Sequence, residues 1–213
     1  NGSGLFVKSS NTHFVGVAAG DVQFADFDSD GDNDVLITGL SSSPLWGAIK
    51  FMATVYENLG LNQFSNGTPL SGVVYSRSVV ADFNGDKKPD LAIVVSSIYS
   101  YFIVYPNTSS PGNISFGTPF TYNIGTDNPI NIATTDVDGN GKPDVLVSYG
   151  SSGTAFTVIR NTTAAGNISF SSIKTNVGFG LGQVGSGNKL YIADLDKDGK
   201  QDVTVLSGYF RPL

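Results

Sequence analysis

The acidic residues of this chain are concentrated in four short clusters that recur at regular intervals. The clusters begin at Asp26, Asp82, Asp136 and Asp194, so their starts are 56, 54 and 58 residues apart. Fifteen of the 18 acidic residues of the 213-residue chain belong to them. A fixed period of this kind is typical of a repeat architecture, in which one supersecondary unit is stacked several times. The spacing therefore predicts four copies of one folded unit.

The segments between the clusters are short runs of β-branched and aromatic residues. Within each period four such runs are separated by Gly, Pro, Asn and Asp, which is the pattern of strands joined by turns. No window sustains a helical period. Segments such as 91–95 and 145–147 are apolar on both faces rather than alternating. Such strands need cover on both sides of their sheet.

Four-stranded antiparallel sheets packed face to face around an axis provide this cover, and they leave only short exposed edges. The sequence therefore predicts an all-β protein, and specifically a β-propeller with about four blades in residues 1–213. A two-sheet sandwich is the alternative, but one signature per 56-residue period favours the propeller. The ends fall out of register with the repeat, so we expect a single propeller region truncated at one or both ends. A seven-bladed propeller, and hence a larger chain, would accommodate it.

Each cluster follows one nine-residue template, with oxygen-bearing side chains at positions 1, 3, 5 and 9. The candidate metal ligands are Asp26, Asp28, Asp30 and Asp34 in residues 26–34, with Asp32 at position 7; Asp82, Asn84, Asp86 and Asp90 in residues 82–90; Asp136, Asp138, Asn140 and Asp144 in residues 136–144; and Asp194, Asp196, Asp198 and Asp202 in residues 194–202. Carboxylates so close together repel one another unless a cation lies between them. The alternative is that Asp, Asn and Gly only form turns, which four equally spaced copies disfavour.

Calcium fits this template better than magnesium. Side-chain oxygens at positions 1, 3 and 5, a backbone carbonyl near 7 and a final carboxylate form a cage of hard oxygen ligands, whereas Mg²⁺ tends to retain water. Glycine at position 6, as in Gly31 and Gly141, allows the positive φ of a sharp turn. Lys87 replaces it in the second copy, so we expect up to four Ca²⁺ sites with the second the weakest. Asp32 is expected to offer its carbonyl and leave its carboxylate in solvent.

These loops share only their first half with an EF-hand, which needs an acidic residue at position 12. Here position 12 is apolar, as at Ile93, and lies in a strand. Residues 81–92 and 136–145 resemble the FG-GAP/VCBS repeat, which builds the propeller of integrin α subunits, some lectins and many large secreted bacterial proteins. The resemblance covers nearly the whole chain and implies a calcium-bearing propeller, commonly seven-bladed, in an extracellular setting. It does not imply one function.

Composition excludes several functional classes. The formal net charge of −6 and the lack of a basic stripe argue against nucleic-acid binding. No apolar run approaches the roughly 20 residues of a membrane-spanning helix, so we expect no membrane insertion. The chain has no cysteine and one histidine, His13, and no serine has a base partner. We therefore expect no enzymatic activity, and we interpret the G-x-G-x-x-G match at 180–185 as a loop.

Three functional hypotheses follow. The first is a secreted, non-enzymatic, calcium-binding module that presents its loops to a protein for adhesion or protein–protein interaction. The second is a carbohydrate-binding lectin, with a glycan held between blades or stacked on Trp46. The third is an accessory domain of a secreted polysaccharide-degrading enzyme. In each case the partner is a protein or glycan ligand on the propeller loops.

Overall fold

A computed structural model describes residues 17–42, 49–61, 63–70, 76–96, 99–125, 128–150, 156–177 and 189–206. These residues contain strands and no helix, and so no helix long and apolar enough to cross a bilayer. The strands are β1 (Val17–Ala25), β2 (Asp34–Ser42), β3 (Ile49–Tyr56), β4 (Thr68–Leu70), β5 (Ser76–Ala81), β6 (Asp90–Val95), β7 (Ser100–Tyr105), β8 (Phe120–Gly125), β9 (Pro129–Thr135), β10 (Asp144–Tyr149), β11 (Phe156–Asn161), β12 (Phe170–Val177), β13 (Lys189–Ala193) and β14 (Asp202–Leu206). His13, Trp46 and the 180–185 motif lie outside the described residues.

Each sheet is an antiparallel meander whose strands pair in chain order. Three sheets have four strands, β1–β4, β5–β8 and β9–β12, and β13 pairs with β14 in a fourth. The first strands contact one another in series, β1 with β5, β5 with β9 and β9 with β13. The sheets are thus successive propeller blades with their first strands at the axis. In the described residues no comparable contact joins β13 to β1, so the blades form an open arc. The predicted all-β blade architecture is confirmed.

The second strand of a blade is buried on both faces. All six residues of β6 are buried, and so are all six of β10. Along β6, Leu91, Ile93 and Val95 belong to the core shared with blade 1, while Ala92 and Val94 belong to the core shared with blade 3. Successive side chains of a strand point to opposite faces. An unbroken apolar run therefore supplies two separate cores, one on each side of its sheet.

The second residue of each of the first two acidic loops, Phe27 and Phe83, takes part in the packing between blades. Phe27 packs edge-to-face on Phe116 of the next blade, with ring centroids 5.7 Å apart, and Phe83 lies 6.1 Å from Phe170. Phe27 and Phe83 are fully buried. Leu195, at the same loop position in the fourth sheet, is 65% exposed. The start of a loop thus helps to form the core between its own blade and the next.

An acidic residue outside the clusters joins the first two blades near the axis. Asp21 on β1 accepts hydrogen bonds through Oδ2 from the backbone N–H of Ser78, at 2.8 Å, and from its hydroxyl, at 2.9 Å. The Gln23 amide donates to the Ser78 carbonyl at 2.9 Å. These bonds satisfy polar groups of β5 that face the neighbouring blade rather than a strand of their own sheet.

We expect Phe83→Ala to lower the free energy of unfolding by about 3–5 kcal/mol, because it leaves a cavity between two blades. Leu195→Ala removes an apolar side chain at the same loop position where it is exposed, and its expected cost is below about 1 kcal/mol. Urea denaturation followed by circular dichroism measures both. Equal losses for the two variants would contradict the role assigned to this position.

Candidate metal centres

The four acidic clusters form the loops between the first and second strands of the four sheets. We call them loop 1 (26–34), loop 2 (82–90), loop 3 (136–144) and loop 4 (194–202), and number their positions 1 to 9. Position 6 has positive φ in all four, with φ of 100° at Gly31 and 70° at Lys87. The predicted turn geometry is therefore present, and Lys87 adopts the left-handed conformation that lysine disfavours.

Position 4 also has positive φ, which the sequence analysis missed. Ser29 and Lys197 take this conformation in loops 1 and 4, each with φ of 64°, while loops 2 and 3 have glycine there. Loops 1, 2 and 4 thus each contain one non-glycine residue in the left-handed region. Backbone strain therefore does not distinguish loop 2 from loops 1 and 4, and loop 3 is the one with glycine at both positions. The low affinity expected of loop 2 stays a prediction, and its basis is the charge of Lys87.

The position 1 carboxylate organises the turn by accepting backbone N–H groups. In loop 3, Oδ1 of Asp136 accepts from Gly139 at 2.8 Å and Asn140 at 3.1 Å, and Oδ2 accepts from Gly141 at 2.7 Å. These bonds, that from Gly141 first, lower the pKa of Asp136 below its ordinary value. Asp26, Asp82 and Asp194 accept equivalent bonds in their loops.

Positions 3 and 5 each form a turn with the amide two residues further on. Oδ1 of Asp28 accepts from the Asp30 N–H at 3.3 Å, and Oδ1 of Asp30 accepts from the Asp32 N–H at 2.9 Å. Asn and Asp side chains favour this local bond. The same pair of bonds occurs in loops 2, 3 and 4. Asp30 and Asp32 are exposed, so neither carboxylate is enclosed by the fold.

The position 9 carboxylate is buried in loops 1 to 3, and in loop 1 Asp28 at position 3 is buried as well. Asp34, Asp90 and Asp144 are fully buried, and Asp202 is half-buried. In loop 3, Oδ2 of Asp144 accepts the Val137 N–H at 3.0 Å, and Oδ1 accepts an N–H from the end of the third strand at 2.7 Å. This residue therefore ties the start of its loop to a strand that lies beyond the loop.

Burial raises the pKa of two of these carboxyls. For Asp90 the pKa rises to about 6, mainly through loss of solvation, with a smaller contribution from the negative charge of Asp86. Hydrogen bonds from the Asn107 and Phe83 amides oppose the rise. The pKa of Asp34 is also raised, mainly by burial. A buried carboxyl beside other carboxylates favours its proton, or a cation in the proton's place.

Carboxylate oxygens from positions 1, 3 and 9 converge in three of the loops. In each of these groups the oxygens lie within 4.8 Å of one another. The groups are Asp26, Asp28 and Asp34; Asp136, Asp138 and Asp144; and Asp194, Asp196 and Asp202. Among the described residues no other set of acidic or histidine side chains converges in this way. Three carboxylates at this separation suit a hard divalent cation that takes oxygen ligands.

Loop 2 and the remaining predicted ligands differ in detail. Loop 2 has Asn84 at position 3, where the other loops have aspartate, and it is not among the loops in which three carboxylates converge. The Asn84 amide donates to Oδ2 of Asp86 at 3.0 Å. The position 5 side chains, which are Asp30, Asp86, Asn140 and Asp198, are not part of the converging groups.

An asparagine at the end of the third strand joins loops 2 and 3 to the preceding loop. The Asn107 amide nitrogen donates to the Phe27 carbonyl of loop 1, at 2.7 Å, and to the Pro89 carbonyl of loop 2, at 3.1 Å. Asn161 makes the same two bonds, to Phe83 at 3.0 Å and Pro143 at 3.1 Å. We call Asn107 and Asn161 the latch asparagines. The sequence alone gave no signal for this role.

A further cross-blade bond reaches a candidate ligand. The Gly112 N–H of blade 2 donates to Oδ2 of Asp28 in loop 1, at 2.6 Å. Loop 1 therefore receives hydrogen bonds from the next blade both at its backbone and at a carboxylate. The candidate metal centre of one blade is part of the junction with the following blade.

Loop 3 carries an ion pair that sequence reasoning also missed. Nη1 of Arg160 lies 3.2 Å from Oδ2 of Asp144 and 3.4 Å from Oδ2 of Asp138. The corresponding residues before the asparagine are Glu57 in blade 1 and Pro106 in blade 2. Because this position varies among the repeats, the periodic pattern gave no signal for it.

A comparison with protein-family models finds the FG-GAP-like repeat twice, at residues 26–93 and 82–147. Together the matches cover more than half of the chain. The chain belongs to the FG-GAP-like repeat family. The resemblance inferred from the loop residues is thus confirmed. No curated protein matches the chain. Each FG-GAP-like match begins at position 1 of a loop and ends in the second strand of the next blade, and the match at residues 82–147 includes the latch asparagine Asn107.

We expect Asn161→Ala to lower the free energy of unfolding by about 2–4 kcal/mol, because it removes the donor to one buried and one partly buried carbonyl of adjoining loops. Asn58→Ala is the matched control. Asn58 is only half-buried, and its amide donates within its own blade, to Asn33 at 3.2 Å. Its expected cost is about 1 kcal/mol or less. Chemical denaturation of both variants measures the difference, and an equal cost would argue against the latch.

The metal-depleted protein is expected to lose stability as the pH rises from 5 to 7. Because the folded-state pKa of Asp90 is about 6, above the ordinary 3.8, its contribution is full at low pH and is lost as the pH passes through that folded value. The lowered pKa of Asp136 acts only below its ordinary 3.8, outside this range. Melting temperatures in metal-free buffers test this, with His13→Gln as the background because histidine titrates here too. A melting temperature that rises with pH would contradict the assignment.

Proposed function

We propose that this chain is a non-enzymatic β-propeller module that binds Ca²⁺ in its acidic loops and presents the loop surface to a protein partner, in adhesion or a similar interaction. The observation that supports this most strongly is the convergence of three carboxylates within 4.8 Å in loops 1, 3 and 4. The residues would hold the ion through positions 1, 3 and 9, with position 5 and the carbonyl of position 7 available to complete the shell.

The chemistry of the donors favours calcium. The converging groups offer carboxylate oxygens and no nitrogen or sulfur ligand, a set that suits Ca²⁺ or Mg²⁺ rather than zinc or copper. The loops are turns of irregular geometry, and Ca²⁺ accepts variable oxygen coordination while Mg²⁺ demands a near-ideal octahedron. The ion would supply positive charge that offsets the repulsion among the carboxylates.

Secretion is part of the proposal because of the affinity such a site is expected to have. Extracellular calcium modules bind with dissociation constants of about 10⁻⁴–10⁻³ M, which suit millimolar calcium outside cells. The exposed position 3 and position 5 side chains of loops 3 and 4 keep their sites open to solvent on one side. A site of this kind contributes rigidity in a calcium-rich medium and is empty at the low calcium concentration of a cytosol.

A non-enzymatic role is supported by how the carboxylates are used. In loop 3 the position 1 carboxylate accepts three backbone N–H groups, and the position 9 carboxylate accepts two. These oxygens hold the turn and the end of the third strand, and in this proposal the remaining lone pairs bind the cation. Carboxylates that act in acid–base catalysis need to exchange a proton with a substrate, and these bonds would oppose that exchange.

We expect millimolar Ca²⁺ to raise the melting temperature of the chelator-treated protein by several degrees, because a ligand that binds only the folded state stabilises it by about 1.4 kcal/mol per site at ten times Kd. Magnesium at the same concentration is expected to have a smaller effect. Differential scanning calorimetry with elemental analysis of the dialysed protein measures both. An unchanged melting temperature with no bound metal would falsify the calcium proposal.

A pair of single substitutions tests which carboxylates bind the ion. Asp196→Asn gives loop 4 the residue that loop 2 already has at position 3, so the fold should tolerate it, and the calcium-dependent rise in melting temperature should shrink. Asp32→Asn removes the same charge from an exposed side chain at position 7, and it should leave the rise unchanged. Equal effects of the two variants would indicate a general charge effect rather than ligation.

A further inference from the structure

The guanidinium group of Arg160 contacts two carboxylates of loop 3. Nη1 lies 3.2 Å from Oδ2 of Asp144 and 3.4 Å from Oδ2 of Asp138. These are two of the three carboxylates that converge in loop 3. The Asp144 side chain is fully buried, while those of Arg160 and Asp138 are about one-third exposed, at 35% and 36%. The ion pair is therefore only partly screened by water.

The backbone places Arg160 at the site. The next residue is the latch asparagine Asn161, whose N–H donates to Oδ1 of Asp144 at 2.7 Å and whose side chain is buried. Because these bonds fix the end of β11 against loop 3, the side chain of the preceding residue starts beside the carboxylates. Glu57 in blade 1 and Pro106 in blade 2 hold the same place. Each precedes an asparagine whose N–H donates to the position 9 carboxylate of its blade.

Three lysines in the loops contact groups other than the converging carboxylates. Lys88 and Lys142, at position 7 of loops 2 and 3, donate to the carbonyls of Ser109 and Thr163 in their own blades. Lys200 pairs with Asp198 at position 5, at 3.7 Å. Of the ion pairs found in the described part of the chain, those of Arg160 are the ones that reach carboxylates of a converging group.

We infer that Arg160 is a built-in competitor for the cation of loop 3, and that the residue before the asparagine modulates the calcium affinity of loops 1 to 3. The inference rests on the proposed calcium binding. Arginine at this place neutralises one carboxylate charge and must move before a divalent ion can use the same Oδ2 atoms. Pro106 in blade 2 brings no charge, and Glu57 in blade 1 brings a negative one. Loop 3 should thus fill at higher calcium concentration than loop 1, although both have three converging carboxylates.

The arginine also changes what calcium does for the fold. In loop 3 the guanidinium already relieves part of the carboxylate repulsion, so the turn should remain ordered at calcium concentrations too low to fill it. None of the ion pairs found in the described residues involves a carboxylate of loop 1. The stability of blade 3 should therefore depend less on calcium than that of blade 1.

Isothermal titration calorimetry of the whole chain with CaCl₂ tests the inference. Arg160→Gln should lower the dissociation constant of one weak site about tenfold, because a unit charge some 4–5 Å from a divalent ion is removed. Lys189→Gln removes the same charge from the exposed start of β13. It should leave the calcium dissociation constant of every site within about twofold of its value in the unchanged chain. In an Asp138→Asn background, Arg160→Gln should produce no gain, since loop 3 is then disabled.

The reciprocal substitution keeps the test informative if Arg160→Gln fails to fold. Glu57→Arg places a guanidinium beside loop 1 and should weaken one of the tighter sites about tenfold.

Thermal melting gives a second readout. In chelator, Arg160→Gln should melt at a lower temperature than the unchanged chain, yet the calcium-dependent rise in its melting temperature should be larger.

The outcomes separate the two proposals. If neither the unchanged chain nor any variant binds calcium, the proposed function is wrong, and so is the inference about Arg160. If the unchanged chain binds calcium but Arg160→Gln and Glu57→Arg leave the isotherms as they were, the inference about Arg160 is wrong and calcium binding stands.

Discussion

The structure depends on a buried carboxylate that holds three parts of the chain together. Asp90 and Asp144 lie at the start of the second strand of their blades, fully buried, where an ionised group is costly unless hydrogen bonds compensate. Each accepts one amide from the start of its loop and another from the end of the third strand. These bonds fix the position of the asparagine whose side chain then reaches the preceding blade. Loop, hairpin and blade junction are consequently one hydrogen-bonded unit.

This arrangement makes the candidate metal centre part of the scaffold. Phe27, at position 2 of loop 1, is buried against the next blade, and its carbonyl accepts the Asn107 amide. Asp28 accepts an N–H from the same blade. A cation that draws the carboxylates of loop 1 together would restrict the segment that blade 2 packs against. Calcium would therefore act on the angle and stability of a junction as well as on one hairpin, since interfaces between repeats carry much of the stability of such proteins.

Much of the fold could be predicted from the sequence because the relevant signals are local and repeated. The all-apolar segments of β6 and β10, the turn at position 6 and the period of the clusters each depend on residues close together in the chain. The partner of a latch asparagine is not local. Asn107 and the Phe27 carbonyl are 80 residues apart, so no short pattern reveals that they meet. The role of Arg160 could not be predicted for a different reason. A repeat pattern reveals the residues that recur, and the residue before the asparagine differs from blade to blade.

The latch has a consequence for how such a chain can change in evolution. Blades 2 and 3 each offer a donor, the latch asparagine, to the blade before them, and loops 1 and 2 each offer an acceptor, the carbonyl at position 2, to the blade after them. A gene duplication or an unequal crossover that adds or deletes one period brings both halves of a junction with it, wherever the breakpoint falls. The number of blades can therefore vary without any compensating substitution at the joints, while single residues such as Arg160 diverge afterwards in one copy alone.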